Sequence, residues 1–480
     1  MTRKTTGRPQ LTRRQALISA VGTAATATIL PDGARAATSA IPAKPARLNM
    51  LYATVEADSD AIKLALPDFQ REFGIALHLD TMPYDSLQQK AFAELASQSS
   101  YYDIILVDTP WMPALTRKIQ PITDMLLDSS LTNATTLDIQ DFIPKVFFDT
   151  CVYKTDASYL HWPGAETIDP RAIKQAGFEI YGLPIQANAL TVAYRHDLFS
   201  QPAEQQAYKA KIGKPLSPPG TWDEFAVTAS FFTRPSKRLW GTTLMAGAGD
   251  WATDDFKTLL ACFGGDGHMV NDKFETVFNS PQGVSALSFY VELIRKLKVV
   301  PPGTTAASWD TAATEFGTGL TAMSMNYHTE TLSGNVHGSI GYAMVPKKVQ
   351  HGPHFGTWML SVNSYSTNKQ WAMQAVQWFT GKDAQAKMLT TQLHPTRRSA
   401  YAIATQDQTL AGKFGNFYDV LGKSLEVGVG RPRLTNYADV DRAIWVAVND
   451  AARGAAEPAP ALHRAAGEVA RLLKQAGYTH

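Results

Sequence analysis

Two short strings place side chains that suit the binding of a solute rich in hydroxyl groups. Asp108 and Trp111 form an Asp-x-x-Trp string directly after the apolar run 104–107. A carboxylate can accept hydrogen bonds from two neighbouring hydroxyls, and an indole can cover an apolar C–H face. The structural alternative is a standard helix start at Thr109 and Pro110, in which Asp108 only faces the helix dipole.

The second string lies in the apolar run 180–199, where Gln186 and Asn188 stand two positions apart. Alternate residues of a strand point to the same face. Buried amides need hydrogen-bond partners. This face is therefore either a satisfied polar network in the core or a wall that contacts a polar ligand.

Both strings need a sheet that presents their side chains at one edge. Residues 47–54, 75–79 and 104–107 are predicted strands, and helical patterns separate them. This alternation predicts a parallel sheet, in which ligands bind at the carboxyl ends of the strands. For Asp58, a helix cap is the alternative. The residues at the predicted strand ends are Glu56, Asp58, Asp108 and Trp111.

Five segments resemble one known family and occur in its order through most of the chain after residue 36. They are the apolar run 180–199, the Thr-Trp-x-Glu helix start at 221–224, the Gly-x-x-Ala-Met string at 319–323, and the segments 356–362 and 394–401. In these segments the chain resembles the family 1 extracellular solute-binding proteins of ABC importers, the group that contains the maltose-binding protein.

The resemblance implies an α/β fold of the type II periplasmic-binding-protein kind. Each of its two lobes is expected to hold a mixed, mainly parallel sheet flanked by helices, and the chain is expected to cross between them three times. One lobe is predicted over residues 46–183 and 362–398, and the other over 187–355 and 400–480.

The resemblance also places further residues at a cleft between the lobes. It suggests ligand contacts from a glycine-rich loop, a strand end, the second crossing, the third crossing and the start of a late helix. The residues concerned are Asp250, Trp251, Asn326, Tyr327, Trp358, Arg397 and Tyr437. For Arg397, an ion pair at the hinge is the alternative.

Composition narrows the class of protein. A chain of 480 residues is too long for one core, and 45% hydrophobic with 18% charged residues is typical of a globular protein. The formal charge is +2, but the first 36 residues carry six Lys or Arg and one Asp, which leaves the remainder near −3. No basic surface for nucleic acid is predicted.

The N-terminus has the pattern of an export signal. A positive region with Arg13 and Arg14 precedes an apolar segment of about 15 residues, and Ala34-Arg35-Ala36 is a small-x-small cleavage site. The arginine pair indicates the twin-arginine type, with a general secretory signal as the alternative. We expect a periplasmic protein that is cleaved near Ala36, is not anchored to the membrane and is monomeric.

Sulfur and imidazole side chains give little indication of a metal site. Cys151 and Cys262 are predicted to be separate buried thiols rather than a disulfide. His351 and His354 have a spacing that some metal sites use, but no third ligand is evident, so they are interpreted as a loop. No metal and no cofactor are predicted.

The predicted function is the solute-binding component of an ABC importer. It would bind a sugar, oligosaccharide or polyol in the cleft and deliver it to the transmembrane subunits of a permease by hinge closure. One alternative is a phosphorylated or acidic solute, such as a glycerol phosphate ester, held by arginines. The candidates are Arg397, Arg398, Arg431 and Arg433, for which ion pairs at the hinge are the structural explanation. Another is a secreted glycoside hydrolase, because carboxylates are plentiful. The chain has no nucleophile elbow and no zinc-protease motif, so an enzyme is not expected.

Overall fold

The computed structural model describes residues 42–54, 58–155, 166–328 and 336–479. They belong to one compact unit that begins at Pro42. The predicted signal sequence, Glu56 and the segment 156–165 lie outside the described residues.

Eleven strands are present in the described part of the chain. In chain order they are β1 (Arg47–Ala53), β2 (Ala76–Met82), β3 (Ile104–Asp108), β4 (Val152–Tyr153), β5 (Glu179–Ile180), β6 (Leu183–Ala189), β7 (Thr191–Arg195), β8 (Trp240–Thr243), β9 (Thr321–Asn326), β10 (Ile340–Met344) and β11 (Phe355–Val362).

Helices cover the sheets and form the C-terminal part of the chain. In the described residues they are α1 (Ser59–Phe73), α2 (Tyr84–Ala96), α3 (Met112–Leu115), α4 (Thr123–Leu127), α5 (Ala134–Leu137), α6 (Pro144–Cys151), α7 (Pro170–Gln175), α8 (His196–Ser200), α9 (Pro202–Ile212), α10 (Trp222–Phe232), α11 (Asp250–Cys262), α12 (Pro281–Val291), α13 (Trp309–Gly317), α14 (Lys369–Phe379), α15 (Lys382–Met388), α16 (Arg398–Gln406), α17 (Gln408–Phe414), α18 (Phe417–Val427), α19 (Tyr437–Arg453) and α20 (Pro458–Gln475). A π-helical segment, Glu292–Lys296, extends α12.

The strands form two mixed sheets and a short pair. The five-stranded sheet has the order β2-β1-β3-β11-β6, and the four-stranded sheet has the order β10-β7-β9-β8. Strands β1, β2 and β3 are parallel, as the βαβαβ alternation predicts, whereas β11 runs antiparallel to both β3 and β6. Among the described residues, strands β4 and β5 pair with each other and with no further strand.

The first passage of the chain from one sheet to the other uses a connection of a single residue. Strand β6 belongs to the five-stranded sheet and β7 to the four-stranded sheet, and Leu190 alone separates them. The chain returns between β10 and β11. Position 182, directly before β6, is suited to glycine because a Cβ there would lie 2.5 Å from the carbonyl oxygen of Leu360 on β11. The crossing therefore places β6 and β11 side by side.

Each sheet has its own apolar core. One core packs around Leu48, Ile105 and Leu360, and the second packs around Val192 and Met323. A third group of buried residues joins β6 and β7 to α18. Cys151 and Cys262 are buried in the first and the second core, and neither forms a disulfide. Among the described residues, no helix combines the length and the apolar character that a bilayer span requires.

Candidate ligand-binding site

An aromatic wall lies at the carboxyl end of β3. It consists of Tyr84, Asp108, Trp111 and Trp358. The Tyr84 hydroxyl donates a hydrogen bond of 2.9 Å to Asp108 Oδ2, and Trp111 Nε1 donates one of 3.2 Å to the Tyr84 hydroxyl oxygen. The three ring centroids lie 5.3 to 5.8 Å from one another. Hydrogen bonds therefore fix Asp108 and Trp111 relative to Tyr84, and ring contacts hold Trp358 against Tyr84 and Trp111.

Strand register explains why these residues meet. Trp358 on β11 is paired with Asp108 on β3 on one side and with Gln186 on β6 on the other. Directly paired residues of antiparallel strands project from the same face, so the three side chains form a row across the sheet. The register of β6 and β11 shifts between Trp358 and Met359, and such irregularities often occur beside functional sites.

Burial controls the ionisation of the aromatic wall. Asp108 is 3% exposed, and burial raises its pKa to about 6, although the positive charge of Arg431 opposes this shift. Burial likewise raises the pKa of Tyr84 well above its usual value, with Asp108 contributing in the same direction. Tyr84 is therefore a neutral hydrogen-bond donor at physiological pH.

A charged wall begins at the N-terminus of α11. It consists of Asp250, Asp254, Tyr327, His354 and Arg431. The Tyr327 hydroxyl donates a hydrogen bond of 3.0 Å to Asp254 Oδ2, and Arg431 Nη2 lies 3.5 Å from the same oxygen and 4.0 Å from Asp250 Oδ2. His354 Nε2 lies 2.9 Å from Asp254 Oδ1. Asp254 is therefore the centre of this wall.

Arg431 is the cation that keeps Asp254 ionised. Burial favours the neutral carboxyl, but His354 and Arg431 together hold the pKa of Asp254 well below its usual value. Burial lowers the pKa of His354 to about 4, so the imidazole is neutral near pH 7 and the compensating charge belongs to Arg431. Burial, together with the nearby Asp254, raises the pKa of Asp250 to about 7.

The two walls face each other closely enough to interact electrostatically. The charges of Arg431 and Asp254 act on Asp108, and those of Arg431 and Asp250 act on Tyr84. A Cβ at Gly356, on β11, would lie 3.6 Å from Arg431 Nη1. Side chains of the five-stranded sheet and side chains around the start of α11 therefore lie close to one another.

Other predicted residues lie beside the charged wall. Trp251 packs edge-on against Trp309 with centroids 5.3 Å apart, and the Asn326 amide donates a hydrogen bond of 3.1 Å to the Trp309 carbonyl oxygen. The Tyr437 hydroxyl donates one of 3.4 Å to Asp441, and burial raises the pKa of Tyr437 well above its usual value, a shift that the positive charge of Arg431 opposes. Asn188 is paired with Gly356 on β11.

Two of the predicted residues, Asp58 and Arg397, make their polar contacts with residues that belong to neither wall. Asp58 Oδ2 accepts a hydrogen bond of 2.9 Å from the His394 backbone N–H and lies 2.9 Å from His394 Nδ1. Arg397 is fully buried and donates to the carbonyl oxygens of Thr380, Asp138 and Leu137. Its guanidinium also lies 3.8 Å from the Phe142 ring centroid. Arg397 ties chain segments together instead of facing the site.

Sequence reasoning left out Tyr84 and Asp254 and considered Arg431 only as an anion ligand. The sequence contains patterns that could have indicated Asp254 and Tyr84 as site residues. Asp254 follows Asp250 by four residues on a helix, a spacing that brings both to one side. Tyr84 begins the helix after β2, close to the carboxyl edge of the parallel strands. The partners of Arg431 are distant in sequence, and no local pattern indicates them.

Surface grooves lie elsewhere on the molecule. One, of about 430 Å³, lies between α19 and α20, and another, of about 260 Å³, is lined by residues of α9 and α10 with Leu297. Neither is lined by a residue of the two walls. These two grooves are therefore separate from the candidate ligand-binding site.

Comparison with known proteins identifies the family of the chain. The family model described as bacterial extracellular solute-binding protein matches residues 52–386. The chain belongs to this family. The predicted family, the extracellular solute-binding proteins of ABC importers, is thereby confirmed, and so is a solute-binding function.

Individual relatives are more distant. A probable ABC transporter-binding protein of Deinococcus radiodurans is 27% identical over 312 residues, which cover 62% of this chain and 70% of that protein. The crystal structure of an ABC transporter solute-binding protein from Agrobacterium radiobacter K84 in complex with ribitol is 23% identical with a TM-score of 0.70, covering 90% of this chain and all of the other.

A second solved structure shows the same fold. The maltose-bound MalE3 of T. maritima is 22% identical with a TM-score of 0.69, covering 89% of this chain and all of the other. The solute-binding protein therefore has the predicted α/β, two-domain periplasmic-binding-protein fold, with mixed sheets and flanking helices.

Proposed function

We propose that this solute-binding protein captures a sugar or polyol between the aromatic wall and the charged wall. The observation that carries the proposal is the row of Asp108, Trp358 and Gln186 on one face of the five-stranded sheet. A carboxylate and an amide on either side of an indole offer polar contacts to hydroxyls and an apolar surface to C–H groups. Proteins of the same fold were solved with ribitol, maltose and D-mannitol.

The positions of the two walls support hinge closure as the mechanism. Asp108 and Trp358 belong to strands of the five-stranded sheet, whereas Asp250 and Arg431 lie outside it, and β6 and β7 connect the sheets. A solute that touches both walls binds the closed state better than an open one and so shifts the population toward closure. The lobe boundaries expected from the sequence, near residues 183–187, 355–362 and 398–400, would be the hinge segments.

The transport setting of the protein follows from its class. We propose that the first 36 residues are a twin-arginine signal that is cleaved near Ala36 on export to the periplasm. We also propose that the exported protein is a monomer that is not anchored to the membrane. The closed form would dock on the transmembrane subunits of an ABC permease. The similar proteins are binding proteins of transport systems, which supports a role without catalysis.

The arrangement of arginines argues against the acidic-solute alternative. Arg397 is used by backbone carbonyls, Arg398 pairs with Glu426, and Arg433 donates to the carbonyl oxygens of Phe148 and Val152. Arg431 already lies beside Asp254 and Asp250. An anionic solute would therefore meet carboxylates before it met a free guanidinium.

A ligand screen tests this proposal. Sugars, polyols, sugar phosphates and small acids are compared by their effect on the melting temperature, since a solute at a hundred times its dissociation constant stabilises the folded state by about 2.7 kcal/mol. The dissociation constant of each hit is then measured by calorimetry. Trp358→Ala is expected to weaken a true cleft ligand by about 2 kcal/mol, roughly thirtyfold.

Trp371→Ala is the matched control. Trp371 is a partly buried tryptophan whose Nε1 donates to the carbonyl oxygen of Pro42, and it belongs to neither wall. Its removal is expected to leave affinity unchanged. Hits confined to anionic compounds, or a hit that Trp358→Ala does not weaken, would contradict the proposed solute class or site.

A further inference from the structure

Carboxylates outnumber cations where the two walls meet. Asp108, Asp250 and Asp254 belong to the walls, and Asp441 lies close enough to interact with Asp250 and Asp254. Arg431 is the guanidinium that all of them share. Burial raises the pKa of Asp108 to about 6 and the pKa values of Asp250 and Asp441 to about 7, so Asp108 is mainly ionised and the other two are partly ionised at pH 7. A cation bound among these carboxyl groups would favour their ionised forms.

A second basic side chain, which interacts with Asp254, is used elsewhere. Lys257 is buried on α11, and its Nζ donates a hydrogen bond to the carbonyl oxygen of Gly430. Burial and the neighbouring Arg431 lower the pKa of Lys257 to about 7, so the ammonium is only partly ionised at neutral pH. Lys257 cannot supply a full compensating charge.

The contacts of Arg431 are also unequal. Its Nη2 is 3.5 Å from Asp254 but 4.0 Å from Asp250, and Asp254 in addition accepts the hydroxyl hydrogen bond of Tyr327. The Asp250 side chain is 31% exposed, so a solute can reach it. Asp108 receives its side-chain hydrogen bond from the neutral Tyr84 hydroxyl. Asp250 and Asp108 are the carboxylates with the most capacity for a ligand.

A buried amide points independently to a ligand on this face. Gln186 is 1% exposed, and neither its Oε1 nor its Nε2 has a hydrogen-bond partner within the described part of the chain. It stands in the same row as Trp358 and Asp108. A buried amide without partners is costly, and a bound solute with donors and acceptors would satisfy it.

We propose that the site prefers a sugar or polyol that carries a protonated amine over the same compound with a hydroxyl in that position. This inference rests on the proposed function and narrows its solute class. The ammonium would lie between Asp108 and Asp250 and form charge-assisted hydrogen bonds, which are about twice as strong as neutral ones. Gln186 and the aromatic wall would hold the hydroxyl-bearing carbon chain.

Matched pairs of compounds test the preference directly. Calorimetry at pH 7 compares D-sorbitol with 1-amino-1-deoxy-D-sorbitol, and D-glucose with D-glucosamine, because the members of each pair differ in one group. The amine is expected to bind on the order of tenfold tighter or more in at least one pair. Equal affinities, or tighter binding of the hydroxyl compound in both pairs, would overturn the preference.

Two aspartate variants separate charge from fold. Asp250→Asn keeps the size of the side chain but removes its charge, so it is expected to weaken binding of the amine by a larger factor than binding of the hydroxyl compound and to reduce the preference toward parity. Asp383→Asn, at an exposed position in the first turn of α15, is expected to leave both affinities unchanged. An amine preference that survives Asp250→Asn in full would contradict the assigned carboxylate.

The two proposals fail in different ways. Binding of the hydroxyl compounds without an amine preference removes this inference and leaves the proposed function in place. If no sugar, polyol or amino derivative binds and another class of solute does, both are removed. A preference that Asp250→Asn abolishes and Asp383→Asn preserves supports both.

Discussion

Two buried polar regions of this molecule use the same kinds of side chain in different ways. The crossing network consists of Asp58, Gln385, His394, Thr396 and Arg397, and the second region consists of the two walls of the site. In the crossing network the side chains bond mainly to backbone atoms of separate segments. In the walls they bond mainly to other side chains.

The type of hydrogen-bond partner, backbone or side chain, distinguishes a structural polar residue from a binding one. A side chain that satisfies backbone carbonyls of several segments cannot release them to a ligand without unfolding the chain locally. A side chain that contacts other side chains can exchange those contacts for hydroxyls or ammonium groups. Burial alone does not separate the two, because Arg397 and Arg431 are both buried.

Among the substitutions in the two regions, Arg397→Ala is expected to lower the stability of the protein most. The substitution leaves the buried carbonyl oxygens of Thr380, Asp138 and Leu137 without their donor. We expect the free energy of unfolding to fall by about 3–5 kcal/mol. Urea denaturation followed by circular dichroism measures the change.

The neighbouring arginine provides the control. Arg398 is 51% exposed and pairs with Glu426, so Arg398→Ala is expected to cost no more than about 1 kcal/mol. If Arg397→Ala were as stable as the unaltered chain and lost only solute affinity, Arg397 would belong to the site, as its sequence position suggests.

Replacing either of two buried glutamines by leucine is expected to change stability less than Arg397→Ala does. Gln385 donates to Thr396 Oγ1 at 2.8 Å and accepts from the Thr396 backbone N–H at 3.1 Å, whereas Gln186 has no partner within the described residues. Gln385→Leu should therefore lower the free energy of unfolding by about 2–3 kcal/mol and preserve the affinity for solute. Gln186→Leu should change stability by less than about 1 kcal/mol and weaken solute binding.

The pair of variants is measured by urea unfolding and by calorimetry with the same solute. Each serves as the control for the other, because both replace a fully buried glutamine by an apolar side chain of similar size. The reverse pattern, with a destabilised Gln186→Leu and an unaffected Gln385→Leu, would break the distinction between the two regions.

The fold was largely predictable from the sequence. Apolar runs bounded by Gly and Pro predict the strands, and the βαβαβ alternation at residues 47–107 predicts the parallel part of the first sheet, which the structure shows. The family resemblance supplied the two-domain architecture. These features depend on local patterns, which a single sequence contains.

The site was only partly predictable. Asp108, Trp111 and Trp358 are predicted and come together, because strand ends and register follow from the fold. The choice between Arg397 and Arg431 could not be made, because it depends on contacts between residues far apart in sequence. Arg397 meets Leu137 across 260 positions, and Arg431 meets Asp254 across 177.

The last prediction concerns how Asp108 makes the stability of the folded protein depend on pH. Its pKa is raised from an ordinary value near 3.8 to about 6 in the folded protein, mainly by burial. Between these values the folded state binds more protons than the unfolded state at this residue, so the contribution of Asp108 to stability decreases as the pH rises from about 4 to about 6. Asp108→Asn removes this titration and keeps the size of the side chain.

The variant is therefore expected to gain stability relative to the unaltered chain as the pH rises through that range, by about 1–2 kcal/mol. Melting temperatures of both proteins without solute, measured from pH 4 to pH 7, give the difference. Asp383→Asn corrects for the general effect of removing a carboxylate. A difference that stays constant over the range, or that changes in the opposite direction, would show that Asp108 is solvated or fully paired in the folded protein. The aromatic wall would then resemble the crossing network, and the contrast between the two regions would not extend to ionisation.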